Sequence, residues 1–217
     1  MKKTEILERI HQIGLVPVLR ATSAKEAMTI ADAIIAGGVT VLEVTMTVPG
    51  AVQVMEQLVK HHGDKLLVGA GTVLDAETAR ACLLAGAQFI VSPALDVRTI
   101  ELCLRYSAPV IPGALTPTEI LTAWQAGADV VKVFPCSALG GAKYLKALAG
   151  PLPQIQLIPT GGVSLGTAEE FLAAGAFALG VGSDLVDAKA AAEGRTEVIT
   201  ENARKYMGIA GKFRGRN

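Results

Sequence analysis

Eight short runs of apolar and β-branched residues recur at near-even spacing along this chain, and no other feature restricts its fold as strongly. They are LVPVLR (15–20), VTVLEVT (39–45), LLVGAGT (66–72), QFIVSP (88–93), PVIPGA (109–114), DVVKVFP (129–135), IQLIPTGG (155–162) and FALGVGS (177–183). Between them lie Ala-, Leu- and Glu-rich stretches long enough for crossover helices. Runs that stay apolar, instead of alternating with polar residues, predict strands buried on both faces, and helical connections predict parallel neighbours. Eight such units in 217 residues fit a (β/α)8 TIM barrel, which commonly needs roughly 200–250 residues, better than a doubly wound sheet. The amphipathic segment MKKTEILERIHQIG before the first run predicts an extra N-terminal helix.

A weak internal repeat supports the count. AGGV (36–39), AGAQ (85–88), AGAD (126–129) and AGAF (174–177) each end a helical stretch and lead directly into a strand. A glycine there takes the left-handed conformation that residues with a Cβ resist. Further glycines stand at the strand ends: Gly69, Gly71, Gly113, Gly161, Gly162, Gly180 and Gly182. These fall at the C-terminal mouth of a barrel, where active sites are built and where backbone approaches ligand. No linker or shift in composition divides residues 1–217, which read as one domain.

Several function classes drop out. Apolar residues make up 51% of the chain and charged residues 18%, enough for a core and too few charges for disorder. Lys plus Arg and Asp plus Glu are both 20, so there is no electrostatic footprint of a nucleic-acid binder. A small basic tail from Lys212 to Arg216 reads as a frayed terminus. Cys82, Cys103 and Cys136 lie far apart without metal-ligand spacing and read as reduced thiols of a cytoplasmic protein. Cys136 is expected to be bystander packing near the site, and Trp124, in an apolar helix, to belong to the core. No secretory segment opens the sequence, and the longest uncharged stretch, 147–168, is broken by Pro151, Pro153, Pro159 and a Gly-Gly pair. No membrane association is expected.

Of eleven lysines, Lys132 alone sits inside a β-branched run, Val130-Val131-Lys132-Val133-Phe134. Desolvation there favours the neutral amine, the form that attacks a carbonyl. Glu43 interrupts Val39 to Thr45 in the same way. With one on the second strand and the other on the sixth, both can point into one barrel mouth, as nucleophile and proton carrier. A buried ion pair with no chemistry is the competing account of both. Arg20, ending the first strand, can grip a substrate carboxylate or merely cover the rim. Gly161-Gly162 and Gly182-Ser183 end the last two strands, where many barrels bind phosphate through bare backbone N–H groups, although a Gly-Gly pair also makes a tight turn. The three histidines, His11, His61 and His62, all lie in helical segments, so no metal site is expected at the mouth. There is no GxSxG or GxGxxG motif.

The segments VLEVTMTVP (41–49), VGAGTVL (68–74), FIVSPALD (89–96), IPGALTPTE (111–119), VKVFPCSALGG (131–141) and IPTGGVSLG (158–166) together resemble the KHG/KDPG aldolase family, in order and spacing over Ile6 to Met207. The resemblance implies a class I aldolase, usually trimeric. It would cleave 2-dehydro-3-deoxy-6-phosphogluconate (KDPG) to pyruvate and glyceraldehyde 3-phosphate, and in many relatives 4-hydroxy-2-oxoglutarate to pyruvate and glyoxylate. Such an enzyme needs no cofactor beyond the Schiff base on its own lysine, and its partner is a small 2-keto acid. By motif, Lys132 matches the Schiff-base lysine and Glu43 the general acid/base. Thr45, Thr72, Pro93, Phe134 and Thr160 fall at substrate-binding positions, and Gly161, Gly162, Gly182 and Ser183 at phosphate-binding ones. Some members carry an arginine where this chain has Thr47; members with threonine there carry one in a VLRA-type first strand, so Arg20 is expected to take the carboxylate. Thr160 can hydrogen-bond a C4 hydroxyl, favouring the gluconate-derived substrate over its galactonate-derived isomer. The rival readings are a sugar-phosphate epimerase or isomerase using Lys and Glu as proton shuttles, and a phosphate-binding barrel without catalysis.

Overall fold

In the computed structural model, which describes residues 1–214, each of the eight runs carries a strand. These are β1 (Leu15–Leu19), β2 (Val41–Thr45), β3 (Leu67–Gly71), β4 (Phe89–Val91), β5 (Val110–Ile111), β6 (Gly113–Ala114), β7 (Val131–Val133), β8 (Leu157–Pro159) and β9 (Leu179–Val181). The fifth run is split because Pro112 has no N–H to give to a ladder. Its carbonyl still accepts from the Lys132 N–H at 2.9 Å. Every pairing is parallel, in a six-stranded sheet ordered β5-β4-β3-β2-β1-β9 and a three-stranded sheet ordered β6-β7-β8. The run through Pro112 joins the sheets at one side. At the other, Thr160 bridges Gly180 and the Phe177 N–H donates to the Leu157 carbonyl at 2.8 Å.

The connections are helices α1 (Lys3–Ile13), α2 (Ala24–Ala36), α3 (Ala51–His62), α4 (Ala76–Leu84), α5 (Val97–Arg105), α6 (Pro117–Gln125), α7 (Ala142–Ala149), α8 (Ala168–Ala173), α9 (Ala188–Ala192) and α10 (Thr196–Arg214). Their starts are written in the sequence. Ser23, Asp75, Asp96, Thr116 and Asp187 each accept a hydrogen bond from a first-turn N–H, and Thr116 forms a reciprocal capping box with Glu119. Their ends follow the repeat: Gly38, Gly86, Gly127 and Gly175 all have φ between +92° and +98°, turning the chain from helix into strand.

Strand side chains sort into two cores. Leu42, Val44, Val131 and Val133 pack against the helices, whereas Val41, Leu67, Phe89, Val130 and Ile158 face inward. Ile6 and Ile10 of α1 join the inward cluster. Polar contacts fix α1 across the N-terminal ends of the strands. Lys3 pairs with Asp129 at 2.8 Å, Arg9 donates to the carbonyls of Asp64 at 2.7 Å and Thr40 at 3.2 Å, and His11 Nδ1 meets the Phe177 carbonyl at 3.1 Å. That end of the strands is therefore floored by a helix.

Two expectations change. Lys212 to Arg214 do not fray; they complete α10, and the Arg214 guanidinium donates to the Phe177 carbonyl. Arg216 lies outside the described residues. Trp124 is 41% exposed, because α6 buries Ile120 and Ala123 and turns the indole outward. Among the described residues no helix is long and apolar enough to cross a membrane.

Candidate active site

Strand alternation alone puts Glu43 and Lys132 on the inner side, since their neighbours in β2 and β7 belong to the helix-facing core. Register sets their height. Glu43 pairs with Val18 and Gly69, and Lys132 with Gly113 and Ile158. The two side chains, from different sheets, meet with Lys132 Nζ 3.7 Å from Glu43 Oε1. Glu43 is 2% exposed and Lys132 6%. At that distance the contact is an ion pair longer than a hydrogen bond, and Glu43 Oε1 is buried without a hydrogen-bond partner. Burial pushes the Glu43 carboxyl above the ordinary glutamate range, against the opposing pull of Lys132 and, more weakly, Arg20. A carboxyl whose charged form is disfavoured in this way is suited to give as well as take a proton. The Lys132 amine also stands 5.4 Å from the centre of the Phe134 ring.

The strand-end glycines make room for protein atoms more than for ligand. A Cβ on Gly71 would lie 2.7 Å from Glu43 Oε1; on Gly69, 2.2 Å from the Phe89 ring; on Gly113, 2.2 Å from the Pro93 carbonyl carbon; on Gly180, 2.1 Å from Thr160 Oγ1. Gly182 differs, with nothing within 4 Å of the position a Cβ would take. Sequence reasoning marked these positions but not Gly71's part in seating Glu43, which needs the cross-strand neighbour. On the aldolase chemistry that the sequence resemblance implies, Gly71→Ala is expected to displace the carboxylate and lower kcat by ~10–100-fold while leaving adduct formation with pyruvate intact. Steady-state rates beside borohydride trapping check it, and an unchanged kcat would sink it.

A cavity of about 10 Å³, room for about one water molecule, touches both Glu43 and Lys132 and is walled by Val16, Val18, Ile111, Ile158 and Thr160. Through Val18, Thr160 and Gly180 it adjoins a cavity of about 150 Å³ lined by Arg20, Phe134, Gly161, Gly162, Gly182 and Ser183. Arg20, Phe134, Thr160, Gly161, Gly162, Gly182 and Ser183, all expected at substrate- or phosphate-binding positions, thus line one space. Gly161 and Gly162, at φ +86° and +78°, turn sharply beside Pro135 and Ser137. Thr45, Thr72 and Pro93 line neither cavity. Thr45 is buried and its hydroxyl, 3.1 Å from the Leu19 carbonyl and 2.7 Å from the Thr47 hydroxyl, ties β2 to the end of β1. Thr72, just after β3, holds φ +56°, a left-handed conformation that is strained for a β-branched residue. Cys136 is buried in a 3-10 turn after Pro135, and burial raises its thiol to about 11.

A buried lysine–glutamate pair thus stands beside a cavity of about 150 Å³. The sequence profile of KDPG and KHG aldolases matches residues 6–202. The chain belongs to the KDPG and KHG aldolase family. Aldolases of this family are carbon–carbon lyases, and this chain is one. It is 35% identical to the 2-dehydro-3-deoxy-phosphogluconate aldolase of Treponema pallidum, over 95% of this chain and 98% of that protein. It is 37% identical to the 2-dehydro-3-deoxy-6-phosphogalactonate aldolase of Escherichia coli, over 90% and 95%. Its fold superposes with a TM-score of 0.85 on a KDPG aldolase from Legionella pneumophila that was crystallised with pyruvate captured at low pH as a covalent carbinolamine intermediate. That pair shares 31% identity over 94% of this chain and 97% of the other.

Proposed function

We propose that this protein is a class I aldolase that cleaves KDPG to pyruvate and glyceraldehyde 3-phosphate through a Schiff base on Lys132, with no added cofactor. The observation that carries the reading is the buried approach of Lys132 Nζ to Glu43 Oε1, 3.7 Å, beside the cavity that Gly161, Gly162, Gly182 and Ser183 line. The Lys132 amine adds to the C2 ketone and, taking up one proton that the later hydrolysis returns, expels water to form an iminium that draws electrons from C3. Glu43 takes the C4 hydroxyl proton as the C3–C4 bond breaks, and the aldehyde departs. Glu43 returns a proton to C3 of the enamine, and water hydrolyses the imine to release pyruvate. Phe134 packs beside the imine, Thr72 and Pro93 support the pyruvate side from behind the cavity walls, next to Gly71 and Gly113, and the two glycine-bearing strand ends hold the phosphate through backbone N–H groups. Arg20 opens onto the same cavity as Ser183, where its guanidinium serves the substrate's anionic groups, the carboxylate first. 4-Hydroxy-2-oxoglutarate, lacking the phosphate, is cleaved by the same steps.

Overall identity is nearly equal to the phosphogluconate and phosphogalactonate relatives, so the choice of C4 epimer rests on side chains at the site. Thr160, 8% exposed and bordering both cavities, offers a hydroxyl to C4. Thr160→Val is expected to cut kcat/KM for the gluconate-derived substrate on the order of 10-fold or more and to spare the galactonate-derived one. Coupled pyruvate assays on both epimers check this, and equal losses would remove Thr160 from epimer choice.

The same reading takes residues 1–217 as one domain and joins the two sheets into a closed (β/α)8 barrel with α1 as an added floor. The continuous run through Pro112 and the Thr160–Gly180 bridge support closure. A homotrimer in the cytoplasm completes it; Leu84, Leu104, Tyr106, Leu121 and Trp124 supply exposed apolar contact surface on and beside α4 to α6, and the three buried free cysteines suit a reducing compartment. Borohydride treatment with pyruvate, followed by peptide mass analysis, tests the chemistry. A reduced pyruvyl adduct on Lys132 is expected, and pyruvate binding without any adduct would overturn the mechanism.

A further inference from the structure

The two strand ends that line the 150 Å³ cavity are built largely of glycine, with Gly161 and Gly162 after β8 and Gly182 after β9. Glycine has more conformational freedom to lose on ordering than any other residue. Backbone N–H groups grip an anion well only when they are already aimed at it, so something outside the cavity must fix them. The loop after β8 is closed on itself: the Thr167 hydroxyl donates to the Gly162 carbonyl at 2.9 Å and accepts from the Ser164 N–H at 2.9 Å. Beyond the strands, Asp184 ties this loop to the end of β9. Its Oδ2, one residue past Ser183, accepts from the Leu165 N–H at 3.0 Å and from the Tyr206 hydroxyl at 2.5 Å. Both bonds are charge-assisted. The Asn202 amide reaches the Asp184 carbonyl at 3.4 Å. Tyr206 is buried in α10, which is itself anchored to α2. There the Thr200 hydroxyl donates to the Ala33 carbonyl at 2.9 Å, and Ala203 lies 2.4 Å from the position that a Cβ on Gly37 would take.

We infer that Asp184 is a positioning residue for the phosphate end of the substrate, joining the two glycine-bearing strand ends to one another and to α10. The inference rests on the aldolase reading above. Asp184 does not line the cavity, so it acts through Leu165 and Ser183 and not by contact. A carboxylate inside the cavity would repel a phosphate; this one faces two donors behind the wall. Lys132 and Glu43 stand on β7 and β2, outside the tied segments, and imine formation does not depend on the tie. Its loss therefore weakens the hold on a phosphorylated substrate and leaves the chemistry intact. General support of the fold predicts no such split.

In Asp184→Ala the KM for KDPG is expected to rise ~10-fold, with kcat within ~2-fold of the wild-type value. The pyruvate concentration that half-saturates borohydride trapping should not move. Asp184→Asn keeps an acceptor oxygen for Leu165 and Tyr206 and should bring KM back to within ~3-fold of wild type. Tyr206→Phe, which frees the tie from α10 but not from Leu165, should raise KM ~3-fold. Asp184 is exposed and phenylalanine fills the space of tyrosine, so both variants keep the fold. With KDPG cleaved by the wild type, an unchanged KM in Asp184→Ala overturns the inference alone. So does an equal loss in kcat or in pyruvate trapping, which marks a general loosening. Asparagine failing as alanine does would assign the effect to charge and not to the two hydrogen bonds, and overturns it too. If the wild type cleaves no KDPG, the aldolase reading fails and this inference with it.

Discussion

Lys132→Met is expected to lower turnover of KDPG by ~10⁴-fold or more and to abolish the borohydride-trapped pyruvate adduct. Methionine nearly matches lysine in length and suits the apolar walls formed by Val16, Val91, Ile111 and Ile158, so the loss is chemical and not a collapse of the site. A residual rate above a hundredth of the wild-type value would show that the reaction does not pass through this amine. The same variant carries a stability signature. Lys132 is the main influence lowering the Glu43 carboxyl against the opposing effect of burial. Without it the folded-state value rises further above that of the unfolded chain. A carboxyl raised in the folded state adds stability that is fully present below the unfolded value and is lost as pH climbs through the folded one. Both proteins lose this contribution alike from about pH 4 up to the wild-type folded value, and above it the variant's melting temperature should fall further below that of wild type. A difference independent of pH would mean that Glu43 is not the group titrating.

Glu43→Gln is expected to lower kcat by ~100-fold or more and still to form the imine with pyruvate. The amide keeps the shape that Gly71 accommodates and removes the proton carrier. In wild type, the kcat/KM profile should fall on its acid side at a pH above the ordinary glutamate range, because a protonated Glu43 cannot accept the C4 hydroxyl proton. That limb follows from burial raising the carboxyl, and it should vanish in the glutamine variant. Persistence of the same limb in Glu43→Gln, or an unchanged kcat, would assign the proton transfers to another group.

The strands were legible because a sheet covered on both faces demands unbroken apolar runs, and α1 because its charges and Ile6 and Ile10 recur at helical spacing. Lys132 and Glu43 stood out for the same reason, each a charge where an apolar residue was required. What resisted reading depended on partners distant in sequence. Nothing in α6 says whether Trp124 or Ile120 faces the core, since both fit one helical stripe and the neighbouring elements choose. The break at Pro112 leaves the fifth run intact by composition but divides its ladder. The glycines at strand ends were visible, but it takes the fold to see that Gly71 seats Glu43 and Gly180 seats Thr160. For the same reason the hydrogen bond from the Thr45 hydroxyl to the Leu19 carbonyl could not be read in advance, since it needs the neighbouring strand.

In the closed barrel proposed above, the helical floor laid by α1 gives the interior the shape of a flask, whose neck is the end lined by Arg20 and Ser183. Ile6 and Ile10 stop the far end, and polar contacts pin the stopper to the segments leading into β2, β3, β7 and β9. Whatever reaches Lys132 must come and go by the neck, and the aldehyde half, seated nearer the opening, stands in the way of the half bound to the lysine. Release is then ordered by geometry as well as by covalency: the aldehyde clears the passage before pyruvate can leave. An aldehyde that lingers there holds the enamine out of reach of bulk water and favours the reverse reaction, carbon–carbon bond formation.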